Sequence, residues 1–463
     1  MPNEAVAAPS SHQPSLRRAI GPGLLLLFIV GDILGTGVYA LTGKVAGQVG
    51  GIAWLPFLCS FGVALLTALS YLELVTKYPR AGGAAVYTQR AFGIHFLTFI
   101  VGFMVMSSGL TSASAAAKAF AGNLNTATGW GMSSSSLGVL LVAFGFMGLL
   151  MVVNLRGVSE SVRVNVVLTL VELTGLLIII GIGMWAIAHG DGDTGRLIDV
   201  QVEDGRTVFG AVTAATALAF FAMVGFEDSV NMAEETKDPV RTFPRIMLLG
   251  LTITAVVYIL VAISAVALVA PAELGEGEAP LLRVVEVGAP GFPVGVFAVI
   301  SMFAVANSAL INMLMASRLL YGMAQDRVLP FALGRVGERH TPWVSIIFTT
   351  VLALALIAFA DLRSLGGTTS LLLLVVFAVC NAAVLVLRKD KVEHEHFRAP
   401  TIVPILGAVV CTFLASPLSQ RHPQDYVVAG WLVAAGVGLW LLHRMLTRLV
   451  ERLRGQRPRT SSR

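Results

Sequence analysis

The chain has 463 residues, of which 56% are hydrophobic and only 13% charged, with a mean hydropathy of +0.80. A water-facing globular protein carries about 25% charged residues, so most of this surface meets something other than water. The formal net charge of +5 is spread through short loops and the tail rather than gathered in one patch, which argues against nucleic acid as a partner.

Taken in chain order, apolar runs cut by turn and charge punctuation predict about twelve helical spans, each near the twenty-odd residues that cross a bilayer. The first six fall near 20–46, 52–76, 95–122, 137–155, 158–188 and 209–234. The second six fall near 243–270, 291–325, 343–360, 364–387, 402–418 and 426–446. These runs are too continuous for barrel strands, which alternate over about ten residues. Cys59, Cys380 and Cys411 all lie inside apolar runs and read as small core hydrophobes. The polar stretch before Arg17 and Arg18 lacks a signal-peptide pattern.

Basic residues fall unevenly on the two sides. Arg17, Arg18, Lys77, Arg90, Lys237, Arg241, Arg388 and the Arg-rich tail share one side, whereas Lys44, Arg196, Arg206, Arg283, Arg363 and Arg421 are thinly spread on the other. The positive-inside bias and an even number of spans predict that both termini are cytoplasmic.

Two spans carry breaks that a packed apolar helix would avoid: Gly31-Asp32-Ile33-Leu34-Gly35-Thr36-Gly37 on the first, and Phe221 to Asp228 on the sixth. Each opens a five-span block if the chain is divided after the fifth and tenth spans. Backbone leaves the helix at bilayer depth only where protein or a cavity satisfies it. Such breaks at matching positions in two halves point to a transport site. Ordinary glycine packing between helices accounts for the breaks equally well.

The motifs around them separate the two readings. The sixth span reads Phe220-Phe221-Ala222-Met223-Val224-Gly225-Phe226-Glu227-Asp228, then Glu234-Glu235, Lys237-Asp238-Pro239 and Pro244. The first carries Gly35-Thr36-Gly37-Val38-Tyr39 and Leu41-Thr42-Gly43; Glu73 precedes Pro79-Arg80-Ala81-Gly82-Gly83, Tyr87 and Ala91-Phe92-Gly93; the eighth carries Ser317-Arg318-Leu319-Leu320-Tyr321-Gly322, then Asp326 and Leu329-Pro330. Together these resemble the amino acid–polyamine–organocation family, and the segments around Ala40–Lys44 and Ala113–Phe120 resemble its cationic amino acid transporter branch. Ser107-Ser108-Gly109 departs from that branch's third span, and the chain is too short for its animal members' extra C-terminal spans.

The resemblance implies an all-α polytopic membrane protein: two inverted five-helix repeats with discontinuous first and sixth helices, then a C-terminal pair. On that plan a tail at 1–16 precedes a transport core at 17–390, with halves near 17–190 and 205–390. A helix pair at 391–447 and a basic tail at 448–463 follow. It implies a secondary carrier of amino acids in a bacterial cytoplasmic membrane, working by alternating access as a monomer or homodimer, with no cofactor. A polyamine or other organic-amine carrier is the alternative, and an amine-gated channel or sensor is the competing class.

The site implied by the resemblance holds the substrate carboxylate on the Gly35, Thr36 and Gly37 amides, where a half-helix N-terminus favours an anion. The ammonium meets carbonyls of Phe221, Ala222 and Val224, with Phe221 as gate. Ile33, Phe220, Glu227, Asp228, Met104, Ser107, Ser108, Ser112 and Asn307 complete the pocket by analogy of position. Glu227 reads equally as a cap of the broken helix, and Lys118 as a side chain snorkelling to the interface.

Asp32 and Glu172 stand where the resemblance implies a small residue and a lysine. Two carboxylates close together in low dielectric need a proton or a cation between them. The pair is therefore expected to couple transport to H+, with Na+ as the alternative; a Glu172 that only hydrogen-bonds a neighbouring helix is the competing reading. Enzyme readings find no zinc-hydrolase spacing, phosphate loop or nucleophile elbow. His394 and His396, beside Glu393 and Glu395, read as a solvated turn rather than a metal site.

Overall fold

The computed structural model describes residues 20–79, 83–133, 136–156, 161–202, 205–233, 236–276, 279–325, 329, 331–336 and 341–455. The tail at 1–16, Arg80-Ala81-Gly82, Glu234-Glu235, Asp326, Pro330 and the end of the basic tail lie outside them. Among the described residues there are fifteen α-helices and no strand, only two isolated bridges.

The helices are α1 (Pro22–Val49), α2 (Trp54–Lys77), α3 (Gly83–Phe92), α4 (His95–Thr128), α5 (Leu137–Arg156), α6 (Ser161–His189) and α7 (Val208–Ala219). Then come α8 (Pro239–Leu268), α9 (Pro271–Gly275), α10 (Pro280–Gly288), α11 (Val294–Gln325), α12 (Trp343–Phe359), α13 (Leu362–Leu387), α14 (Ile402–Ala415) and α15 (Pro423–Gly455). Ten stretches are long and apolar enough to cross a membrane, and the shorter apolar helices α12 and α14 fall where the ninth and eleventh spans were expected. The fold is a polytopic helical membrane protein. Without water at bilayer depth each backbone must bond within its own helix, so even the β-branched run of α8 stays helical.

Helix starts follow local chemistry. Pro22 and Pro239 sit in the first turns of α1 and α8, where a missing N–H costs nothing. Thr207 caps α7 by accepting from the Gly210 amide at 3.1 Å, and Asp361 caps α13 by accepting from the Ser364 amide at 2.7 Å.

Burial sorts the spans. In α1, 72% of the most apolar window is buried, and in the Val208–Met232 stretch 78%, against 22% for the last span. The two interrupted spans therefore form the centre. Helix α1 packs against α6, α7, α8 and α11, while α4 packs against α11 and α13.

Candidate functional site

Both expected breaks are present. Helix α1 leaves helical geometry at Gly35 (φ 11°, ψ −153°). After α7 the chain passes through a 3-10 turn, Phe220–Met223, then turns extended at Val224 (φ −78°, ψ 149°) and positive at Gly225 (φ 125°) before a second 3-10 turn, Asp228–Met232.

The breaks face each other in direct backbone contact. A Cβ on Gly225 would lie 2.9 Å from the carbonyl carbon and oxygen of Asp32. One on Gly37 would lie 2.5 Å from the Ala222 Cα. Only glycine permits both approaches, and Gly225 also holds a conformation that disfavours any side chain.

The freed backbone groups have specific partners. The Tyr258 hydroxyl on α8 is shared between the Ile33 carbonyl at 2.5 Å and the Leu34 carbonyl at 2.9 Å. Glu227 Oε2 accepts from the Gly225 amide at 2.8 Å, so its carboxylate bonds back into the break and makes no cap bond to the Asp228–Met232 turn. With the carbonyls before the α1 break engaged by Tyr258, the peptides at 35–37 line a small cavity, and the buried Thr36 Oγ1 has no partner among the described residues.

That cavity is walled by Asp32, Ile33, Gly35, Thr36, Gly37, Ser112, Phe221, Val224 and Asp228, together with Gly225, Ser308 and Asn312. Val224, Asp228 and Asn312 are shared with a wider vestibule of about 390 Å³, which Ser108, Glu227, Thr369 and Asn231 also border and which reaches Gly83 and Arg318. This is within the range of small-molecule clefts, about 300–1,000 Å³.

Most of the expected site residues are thus brought together, and some stand behind the wall. Ser107 and Asn307 are buried with Ser107 Oγ and Asn307 Nδ2 unpartnered among the described residues. Met104 is buried too. Phe220 packs edge-on against Phe377 at 5.9 Å, and Ala222 is the surface on which Gly37 rests. On α11 the cavity is faced by Ser308 and Asn312, not by Asn307. Polar residues one helical turn apart in an apolar span could have marked that face.

Glu172 does not line the cavity. It is fully buried on α6, both carboxylate oxygens lack a partner among the described residues, and its backbone carbonyl accepts from the Tyr39 hydroxyl of α1 at 2.6 Å. Asp32 lines the cavity together with Asp228. His394 bonds the Thr76 carbonyl at 3.0 Å, and no metal-holding cluster occurs among the described residues.

A model of the family described as amino acid permease matches residues 24–438. An uncharacterized transporter of Mycobacterium tuberculosis is 30% identical over 445 residues, 95% of this chain and 94% of that protein. The branched-chain amino acid permease of Bacillus subtilis is 24% identical over 453 residues, 94% of this chain and 93% of the relative. Cationic amino acid transporter 4 of Mus musculus is 30% identical over 401 residues, 82% of this chain and 61% of that longer protein. All three are transporters, not enzymes.

Proposed function

This chain belongs to the amino acid permease family, a multi-pass membrane transporter and not an enzyme, and on that premise we propose that it carries amino acids by alternating access, cationic ones preferred. The observation that carries the reading is the pair of backbone breaks facing one cavity. Amides at 35–37 suit a carboxylate, the Phe221–Val224 turn suits an ammonium, and Asp228 on the same wall suits a second positive charge on the substrate. The mouse relative is named for cationic amino acids, which supports the same class.

Two inverted five-span blocks are supported by the pattern of short helices. One block is α1, α2, α4, α5 and α6; the other runs from α7 through α8, α11, α12 and α13. In each, short helices follow the second span: α3 in the first block, α9 and α10 in the second. We place the membrane as the bacterial cytoplasmic one, with both termini inside. The vestibule ends at Gly83 and Arg318, on the side of Lys77, Arg90 and Lys237, so this conformation is read as open to the cytoplasm.

In purified protein, lysine or arginine should raise the unfolding temperature, because a ligand at about 100 times its Kd adds ~2.7 kcal/mol of stability. Neutral amino acids should stabilise less. Diamines without a carboxylate should stabilise less still, since the amides at 35–37 would be left unpaired. If no amine-bearing compound shifts the transition, the substrate class fails. Counterflow of the labelled compound in proteoliposomes then separates a carrier from a channel or sensor.

For coupling, we propose that Asp32 and Glu172 exchange a proton, with Na+ as the other ion to test. An ionised Asp32 would repel a carboxylate on the neighbouring amides, so substrate binding and proton uptake favour one another. Glu172→Gln should abolish accumulation driven by a pH gradient while preserving counterflow. Unchanged gradient-driven uptake would remove Glu172 from the coupling path.

A further inference from the structure

We propose that the groove between α4, α5 and the α12–α13 turn binds one phospholipid whose headgroup carries a phosphodiester and a primary ammonium, the phosphate on Lys118 and the ammonium on Asp361. A cavity of about 310 Å³ lies there, lined by Lys118, Ser136, Val139, Ala143, Phe359 and Asp361 among others, and shares no lining residue with the substrate cavity or its vestibule.

Lys118 is half-buried and has no hydrogen-bond or ion-pair partner among the described residues. The start of α5 and the turn that carries Asp361 lie beside it. Ser136 lies just before α5, and Asp361 occupies the turn between α12 and α13, so three helix ends meet at this level. Helix α4 continues to Thr128, about 15 Å further at 1.5 Å per residue. A lysine at such a boundary extends its ammonium to phosphate while its stem stays in hydrocarbon.

The second charge selects the headgroup. Asp361 is exposed, and its carboxylate is fixed by the Ser364 amide at 2.7 Å and the Ser364 hydroxyl at 2.9 Å. Each oxygen keeps a lone pair for another donor. A primary ammonium supplies that donor, a quaternary ammonium has no N–H, and an anionic headgroup meets repulsion. Apolar surface for the acyl chains adjoins the site: Phe359 is 87% exposed, Leu137 69% and Leu141 57%.

The test is native mass spectrometry of the delipidated full chain, titrated with equal amounts of phosphatidylethanolamine, phosphatidylcholine and phosphatidylglycerol. Phosphatidylethanolamine should be retained about fivefold over the other two, the range of one partly exposed ion pair. Lys118→Met should lose retention of phosphatidylethanolamine and of the other two lipids alike, since all carry the phosphate, and Lys118→Arg should keep it. Asp361→Asn, which still caps α13, should bring phosphatidylethanolamine down to the phosphatidylcholine level. Phosphatidylglycerol bound as well as phosphatidylethanolamine, or Lys118→Met retaining it unchanged, overturns the proposal; a monodisperse elution profile for each variant separates either result from misfolding.

Discussion

Gly225→Ala is expected to abolish both transport and ligand-induced stabilisation while leaving a folded, monodisperse protein. The residue holds φ 125°, a region that costs a side-chain-bearing residue about 1–3 kcal/mol. The added methyl would also stand 2.9 Å from the Asp32 carbonyl carbon and oxygen. Those are backbone atoms and cannot swing aside, so the two broken helices must part, and overpacking of this kind costs a further ~1–3 kcal/mol. The separation falls where the proposed site would read the carboxylate and ammonium ends of a substrate together. Gly37→Ala, whose methyl would meet the Ala222 Cα at 2.5 Å, should act the same way. Gly62→Ala, with nothing within 4 Å of the added carbon, should leave both readouts unchanged. The measurements are initial uptake into proteoliposomes and the ligand-induced shift in unfolding temperature. A Gly225→Ala protein keeping more than half of either would show that the contact between the breaks is dispensable.

The same contact marks what was legible beforehand. The breaks on the first and sixth spans were readable because glycine and charge clusters interrupt otherwise apolar runs. Their mutual contact was not, since Gly225 and Asp32 are 193 positions apart and nothing local specifies the approach. Tyr258 illustrates the same gap. It sits in a 30-residue apolar helix, looks like any aromatic of a membrane span, and yet holds the carbonyls at the α1 break.

The α11 face was displaced by one residue for a different reason. Asn307 came from analogy of position, whereas the i, i+4 spacing of Ser308 and Asn312 was the local signal for the face that meets the cavity. The intramembrane acids were conspicuous as costly charges, but their grouping was tertiary information. Asp32 shares the cavity with Asp228, while Glu172 lies outside its wall.

A second large effect belongs to stability alone. Glu73→Ala should lower stability by ~3–5 kcal/mol, the cost of removing one partner from a buried ion pair. Glu73 and Arg388 form a two-pronged bridge, Nε to Oε1 and Nη2 to Oε2, both at 2.7 Å, with side chains 3% and 11% exposed. The bond to Glu73 raises the Arg388 pKa above its ordinary value, so the guanidinium stays charged. The pair also fastens the chain between α13 and α14: the Ala399 amide donates to Glu73 Oε2 at 3.0 Å, and Arg388 Nη2 donates to the Ala399 carbonyl at 2.6 Å. Beside it, Lys77 bonds the Leu387 carbonyl at 2.6 Å, and the Phe397 amide bonds Thr76 Oγ1 at 3.0 Å. Alanine at position 73 leaves Arg388 Nε and the Ala399 amide without acceptors and the guanidinium without its counter-charge, while Nη1 and Nη2 keep Thr401 Oγ1 and the Ala399 carbonyl. Glutamine keeps one acceptor and should cost less, and Arg388→Lys should fall between, because an ammonium cannot reproduce the fork. Apparent unfolding temperature at a fixed scan rate ranks the three, since irreversible unfolding makes the rate part of the number. Ligand affinity in the Glu73 variants should be unchanged below the transition, the reverse of Gly225→Ala. A Glu73→Ala protein as stable as the parent would mean that the bridge contributes no net stability, its attraction cancelled by the cost of burying both charges.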